Sequence, residues 1–223
     1  MDGSEMAHYL LNMRPNQLRN WRLAIVILAL LLIIAATAIF FAIPAIVIRR
    51  PDPPQAVAAI LHTAVGARST ADDYVISLYG EGYSKRIVCV SSQISHELFP
   101  ADFTKLNLIG RGIPETAVTS LHLPIMECPA MTLDYIADFC QREGWKSVMI
   151  VSSPEGNPRA GAAMRLEFQR RGIGLIMTHS PEDAAALQSS WWLTHWKIQR
   201  VIGAITETVL DTIYGDCRQA NVG

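Results

Sequence analysis

An uncharged apolar run near the start of the chain most constrains how it can fold. The run covers residues 23–48, of which only Thr37 and Pro44 are not hydrophobic. At about 1.5 Å per residue, a helix over this run is roughly 39 Å long, longer than the ~30 Å hydrocarbon core of a bilayer. A helix also satisfies its own backbone polar groups, as lipid requires. The run therefore predicts a single transmembrane helix, with the lipid bilayer as its partner.

Two other interpretations of the run fit its length less well. A buried helix in a soluble protein rarely carries so long an uncharged stretch. A cleaved signal peptide has an apolar region of about 7–15 residues that ends at small residues. Here residues 35–38 are small, but Ile39, Phe40 and Phe41 continue the apolar run. An uncleaved anchor is therefore favoured over a signal peptide.

The anchor divides the chain into four predicted parts. Residues 1–22 form an N-terminal tail, residues 23–48 the transmembrane helix, residues 49–55 a proline-rich linker and residues 56–223 one folded α/β domain. The prolines favour an extended, stiff linker. Three arginines precede the span and two follow it, so the positive-inside rule only slightly favours a cytoplasmic N-terminus.

Composition and motifs exclude several classes of protein. The net charge of −1 gives no support to a nucleic-acid partner, which needs a basic surface. The four cysteines are too scattered for a disulfide framework or a CxxC zinc site. Cys89 fits a buried strand, whereas Cys128 and Cys140 can form a bridge outside the cytosol. The motifs GxSxG, GxxxxGK[ST] and GxGxxG are absent, so we predict no catalytic residue, no metal and no cofactor.

Beyond the linker, short apolar runs alternate with longer amphipathic ones. This pattern predicts an α/β fold, a Rossmann-like and mostly parallel sheet flanked by helices. The predicted helices cover residues 69–80, 100–110, 131–142, 158–171 and 191–214, and the first opens with Ser69 and Asp72 as a capping box. The predicted strands cover residues 57–61, 86–91, 118–121, 147–151 and 174–179.

Polar side chains follow the predicted strands at the edge where an open parallel sheet binds its ligands. After the fourth strand, hydroxyl side chains, a glycine and a helix N-terminus with an arginine predict an anion pocket, or else an ordinary capped loop. His62 either titrates near neutral pH or is structural. Glu127 either orients a ligand or is a surface carboxylate. The candidate ligand-binding residues are Glu127, Ser152, Ser153, Asn157, Arg159, His62 and Ser91.

Three tryptophans near the end of the chain have two interpretations. Trp191, Trp192 and Trp196 can lie at the lipid headgroups or against another membrane-protein subunit. They can equally pack under the terminal helix as core. Trp191 and Trp192 cannot both face inward on one helix, so the two interpretations stay open.

Taken in chain order, these segments resemble the SanA/YdcF/ElyC-like bacterial envelope family, a domain of unknown function with a Rossmann-like fold. The resemblance covers roughly residues 55–214 and is best over residues 148–154, followed by Arg159. It also rests on residues 78–83, residues 112–114 and Glu127. It implies a bacterial inner-membrane protein with a cytoplasmic N-terminus and a periplasmic domain that acts in envelope or cell-wall biogenesis.

The chain departs from the family pattern at its ligand loops. The family has a glycine-rich loop after its first strand, where this chain has residues 62–66, and Ser-Gly-Gly after its second, where this chain has residues 91–93. The family's histidine after the Ser-Pro step falls on Gly156. The chain thus lacks the glycines that allow close backbone approach and an obvious acid/base group. These departures favour a protein without catalysis, or alternatively a non-catalytic accessory or scaffold subunit of a larger membrane complex.

Overall fold

The computed structural model describes most of the chain, in two compact units. The described residues are 15–48, 50–63, 69–95, 98–124, 129–155, 158–188, 194–195, 197–199, 201–203 and 205–206. The first unit is residues 1–43 and the second is residues 44–223. The predicted terminal helix and the three tryptophans fall largely or wholly outside the described residues.

The first unit consists of an apolar helix, α1, over Pro15–Val47. Its segment Leu23–Ile43, with a mean hydropathy of 3.2, is the one described helix long and apolar enough to cross a membrane. No part of that segment is buried within the structure. The only hydroxyl in the segment is satisfied locally, because Thr37 Oγ1 donates to the Ile33 carbonyl at 2.7 Å.

The second unit contains five strands in one all-parallel sheet with the order β3-β2-β1-β4-β5. The predicted α/β fold class is therefore confirmed. The strands are β1 (Ala59–His62), β2 (Ile87–Ser92), β3 (Val118–Leu123), β4 (Ser147–Val151) and β5 (Gly174–Thr178). The helices are α2 (Ser69–Gly80), α3 (Pro100–Gly110), α4 (Pro129–Arg142), α5 (Pro158–Arg170) and α6 (Pro181–Gln188).

Local signals set most of these boundaries. Strand β4 and helices α2 and α3 coincide with their predicted ranges. Gly172 ends α5 as expected: it adopts φ of +68°, and the next amide, Ile173 N, donates back to the Phe168 carbonyl at 2.9 Å. The predicted range of β1, residues 57–61, was wrong at both ends. The strand begins two residues later, at Ala59, and ends one residue later, at His62. The short helix α6 was not predicted.

The three inner strands of the sheet, β2, β1 and β4, are buried on both faces, and alternate residues of each serve opposite cores. On one face, Ile60 and Met149 pack with apolar residues of α2 and α3. On the other, Leu61 and Ile150 pack with α4 and with Phe168 of α5. A parallel sheet covered on both faces reads as nearly continuous apolar runs rather than as alternating ones. This explains why all four residues of β1 are buried.

The linker is attached to the second unit through Asp52. Its amide donates to the Met177 carbonyl at 2.8 Å, and its carboxylate accepts from the Met177 amide at 2.8 Å. The same carboxylate oxygen accepts from Arg165 of α5 at 2.8 Å. The linker residue is therefore bonded to the backbone of β5 and to a neighbouring helix.

Phe168→Ala tests the two-sided core. Phe168 is fully buried, so we expect the substitution to lower the free energy of unfolding by about 3–5 kcal/mol, from lost transfer energy and the cavity left behind. Leu166→Ala is the matched control on the same helix, because Leu166 is 50% exposed. Urea unfolding of the full chain in mild detergent, followed by circular dichroism, measures both. Equal losses would contradict the proposed packing.

Candidate functional site

The strand order places a topological switch point at the carboxyl edge of the sheet. Connections from β1 proceed toward β2 and β3, whereas β4 and β5 lie on the other side of β1. The carboxyl ends of β1 and β4 therefore bound the topological switch point, where open α/β sheets bind ligands. His62 and Val151, the last residues of these strands, are register partners. Thr63 continues the pairing, because its amide donates to the Val151 carbonyl at 2.9 Å.

His62 is completely buried and engages a helix on its own face of the sheet. Its Nε2 lies 2.7 Å from Oδ1 of Asp72, in the first turn of α2. The other carboxylate oxygen of Asp72 accepts from the Asn107 amide of α3 at 2.6 Å. One carboxylate thus joins the end of β1 to two helices. The predicted capping box stays a prediction, since the side chain of Ser69 is not among those described.

These contacts determine which nitrogen of His62 carries the proton. An ionised carboxylate only accepts hydrogen bonds, so Nε2 must be the donor to Asp72. In the neutral ring, Nδ1 is then an acceptor. Nδ1 is buried and has no hydrogen-bond partner among the described residues. Since buried polar groups are nearly always paired, this atom needs an explanation.

Two further polar contacts hold the start of α2. Thr70 Oγ1 donates to Asp183 of α6 at 2.7 Å, and the Tyr74 hydroxyl lies 3.1 Å from the hydroxyl of Thr178 at the end of β5. The first turns of α2 are therefore bonded to β1, β5, α3 and α6. These contacts fix the start of α2 beside the end of β1.

The predicted site residues divide into different environments. Ser152 and Ser153 are half-buried directly after β4, and the amide of Ser152 donates to the Thr178 carbonyl at 3.1 Å. His62 lies at the same edge of the sheet. Glu127 and Asn157 lie outside the described residues. The backbone of Arg159 belongs to α5, but its side chain is not among those described.

Ser91 has a structural role. It is buried at the end of β2, and its hydroxyl accepts a hydrogen bond from the Ala101 amide at 2.9 Å. Ala101 is the second residue of α3, whose own cap position, Phe99, supplies no side-chain hydrogen bond. Ser91 therefore replaces the missing helix cap. The same hydroxyl can still donate one hydrogen bond, so the ligand-binding interpretation of Ser91 stays a prediction.

The described cysteines are poor nucleophiles. Burial, together with the nearby negative charge of Asp72, raises the pKa of the Cys89 thiol to about 12. Burial likewise raises the pKa of Cys140 to about 12. Both thiols are therefore protonated at neutral pH. Cys89 is buried as predicted, and Cys140 is free, while Cys128 lies outside the described residues.

A second histidine–aspartate pair has a different environment. His122 Nε2 lies 2.9 Å from Asp102 Oδ1, and both side chains are nearly half exposed. Partial burial tends to raise the pKa of Asp102, but the hydrogen bond with His122 and the nearby charges of His122 and Lys105 lower that pKa overall. Phe99 stacks on the His122 ring at 3.9 Å. This solvent-screened pair joins α3 to the edge strand β3, away from the switch point.

Neither a metal site nor a known protein family identifies what binds at this edge of the sheet. Within the described part of the chain, no group of three or more His, Cys, Asp or Glu side chains is arranged to hold a metal ion. No protein-family model matches the chain, and a search of curated proteins finds no significantly similar sequence.

Replacing the buried serine hydroxyl tests its structural role. We expect Ser91→Ala to lower the free energy of unfolding by about 1–2 kcal/mol, because the Ala101 amide loses its acceptor in a buried position. Ser92→Ala is the matched control, since Ser92 is the next residue of the same strand and is exposed. Thermal unfolding of both variants measures the difference. A Ser91→Ala protein as stable as the control would argue against the cap.

Proposed function

We propose that this protein is a single-pass, membrane-anchored binding protein of the bacterial envelope, similar to the SanA/YdcF/ElyC-like family. Its Rossmann-like domain lies on the periplasmic side of the inner membrane and acts in envelope or cell-wall biogenesis without catalysing a reaction. The observation that carries this proposal is the parallel sheet whose switch point collects polar strand-end residues, in a chain that also contains an apolar helix of membrane-spanning length.

The anchor is supported by the exposure of Leu23–Ile43. Its large apolar side chains are unburied around the helix, which is favourable in lipid and costly in water. The segment measures about 32 Å at the usual helical rise, close to the hydrocarbon thickness of a bilayer.

The ligand site is supported by the edge of the sheet between β1 and β4. Ser152 and Ser153 follow β4 with part of their surface accessible, and α5 begins shortly afterwards at Pro158. An anionic group bound here receives hydrogen bonds from the serines and the favourable end of the α5 dipole. In this proposal Glu127 and Arg159 orient the ligand. The absence of catalysis is supported by Gly156 at the family's histidine position.

The double variant Glu127→Ala/Arg159→Ala tests this site. We expect it to abolish binding of inorganic phosphate to the full chain in detergent, measured by calorimetry, and to give the envelope sensitivity of a deletion strain. The control is Glu182→Ala/Arg170→Ala, which removes the same charges from exposed positions on α6 and α5. Intact binding and an intact envelope in the first variant would refute the site.

A second candidate function is an accessory or scaffold subunit of a membrane complex. The small residues Ala35 and Ala38 are exposed one helical turn apart on the candidate span. Small residues allow a neighbouring helix to approach closely in lipid. The tryptophans at 191, 192 and 196 would add contacts with a partner subunit.

Purification in gentle detergent followed by native mass spectrometry separates the two functions. The scaffold function predicts co-purifying subunits that are lost when Ala35 and Ala38 are both replaced by leucine. Replacement of Leu28 and Leu31 by alanine is the control on the same helix. A clean monomer without partners would contradict the scaffold function and leave the binding protein favoured.

A further inference from the structure

His62, the buried histidine at the end of β1, has two ring nitrogens in different situations. Nε2 is bonded to Asp72, and Nδ1 has no hydrogen-bond partner among the described residues. Oδ1 of Asp72 accepts a hydrogen bond from Nε2 of His62 at 2.7 Å. Asn107 donates to the second carboxylate oxygen at 2.6 Å. In the neutral ring Nδ1 is therefore left as a hydrogen-bond acceptor, without a partner among the residues that the structure describes. Its ring belongs to a residue that is 0% exposed and lies at the switch point of the sheet.

We propose that Nδ1 of His62 accepts a hydrogen bond from a hydroxyl or amino group of the ligand bound between β1 and β4. Asp72 and Asn107 are positioning residues, which fix the ring orientation and its tautomer without touching the ligand. The inference rests on the ligand site proposed above and deepens it. By this inference the ligand carries a hydrogen-bond donor in addition to the anionic group proposed above.

A purely structural role explains the hydrogen bond made by Nε2 of His62, but it does not explain the buried Nδ1. The bond to Asp72 ties β1 to α2, but any donor of similar size would make that bond. The other nitrogen is an acceptor that costs about 1–3 kcal/mol when it is buried and unpaired. Its sheet neighbours are Cys89 and Val151. Neither makes a hydrogen bond to Nδ1, so no described residue supplies a donor to this acceptor.

The burial of His62 also predicts selectivity. A hydrogen bond in a water-excluded site is electrostatically stronger than one in solvent. A site built to pair with a ligand hydroxyl rejects an analogue without it, because the buried acceptor stays unpaired. The ligand class is therefore a small phosphorylated or otherwise anionic molecule that also carries hydroxyl or amino groups.

The tautomer is measured first, on the full chain in nanodiscs with ¹⁵N-labelled histidine. We expect His62 to carry its proton on Nε2 at neutral pH. Asp72→Asn should move the proton to Nδ1: Asn107 already donates to the second oxygen, so the new amide NH₂ faces the ring. Asp73→Asn, at an exposed carboxylate paired with Arg111, is the control and should leave the tautomer unchanged. A wild-type ring protonated on Nδ1 would overturn the proposal.

The ligand group is tested by comparing three phosphates on the same sample. Glycerol 3-phosphate carries hydroxyls, propyl phosphate matches its length without them, and inorganic phosphate carries the anion alone. We expect glycerol 3-phosphate to bind roughly two- to tenfold more tightly than propyl phosphate and to shift the His62 Nδ1 resonance. Asp72→Asn should remove this preference, whereas the control Asp73→Asn should keep it.

The outcomes separate this inference from the proposed function. Equal binding of all three phosphates, with the His62 resonance unmoved, refutes the role of His62 and leaves the anion site standing. If none of the three phosphates binds, the proposed anion site is refuted. Glycerol without phosphate is then the probe that tests the role of His62. A shift of the His62 resonance by glycerol supports it, and an unmoved resonance overturns it.

Discussion

Burial of the parallel sheet on both faces is the constraint on which the second unit depends. Each strand supplies alternate side chains to two separate apolar cores, so the sheet is stable only when helices cover both sides. Polar groups can then enter only at the edges, and His62 does so on the last residue of the central strand. The same constraint that fills the cores therefore concentrates polar chemistry at the carboxyl edge.

Much of the fold follows from local sequence. The apolar run of β4 has β-branched residues between turn signals, and α3 and α5 begin at prolines and end near glycines, so their bounds need no tertiary information. The bounds of β1 did require it, because His62 reads as a polar loop residue unless its buried partner is known. Helix α6 is short and rich in alanine, so it has little amphipathic pattern to detect.

The candidate site was predictable only in its location. Strand ends in an α/β pattern indicate the edge of the sheet, and Ser152, Ser153 and His62 all lie there. The partnership of His62 with Asp72 and Asn107 was not predictable, since Asp72 also fits a helix cap and Asn107 lies 35 residues away from it along the chain. Ser91 shows the reverse case, in which a polar strand-end residue completes a distant helix.

The bonding of Asp52 to Met177 has a consequence for colloidal stability. Strand β5 is at one margin of the sheet, and such margins present unpaired amides and carbonyls that can template pairing with another chain. Asp52 occupies both backbone groups of Met177, as a neighbouring strand would, and its charge discourages a second molecule from stacking there. The linker thus covers one position of this margin that another chain could otherwise pair with.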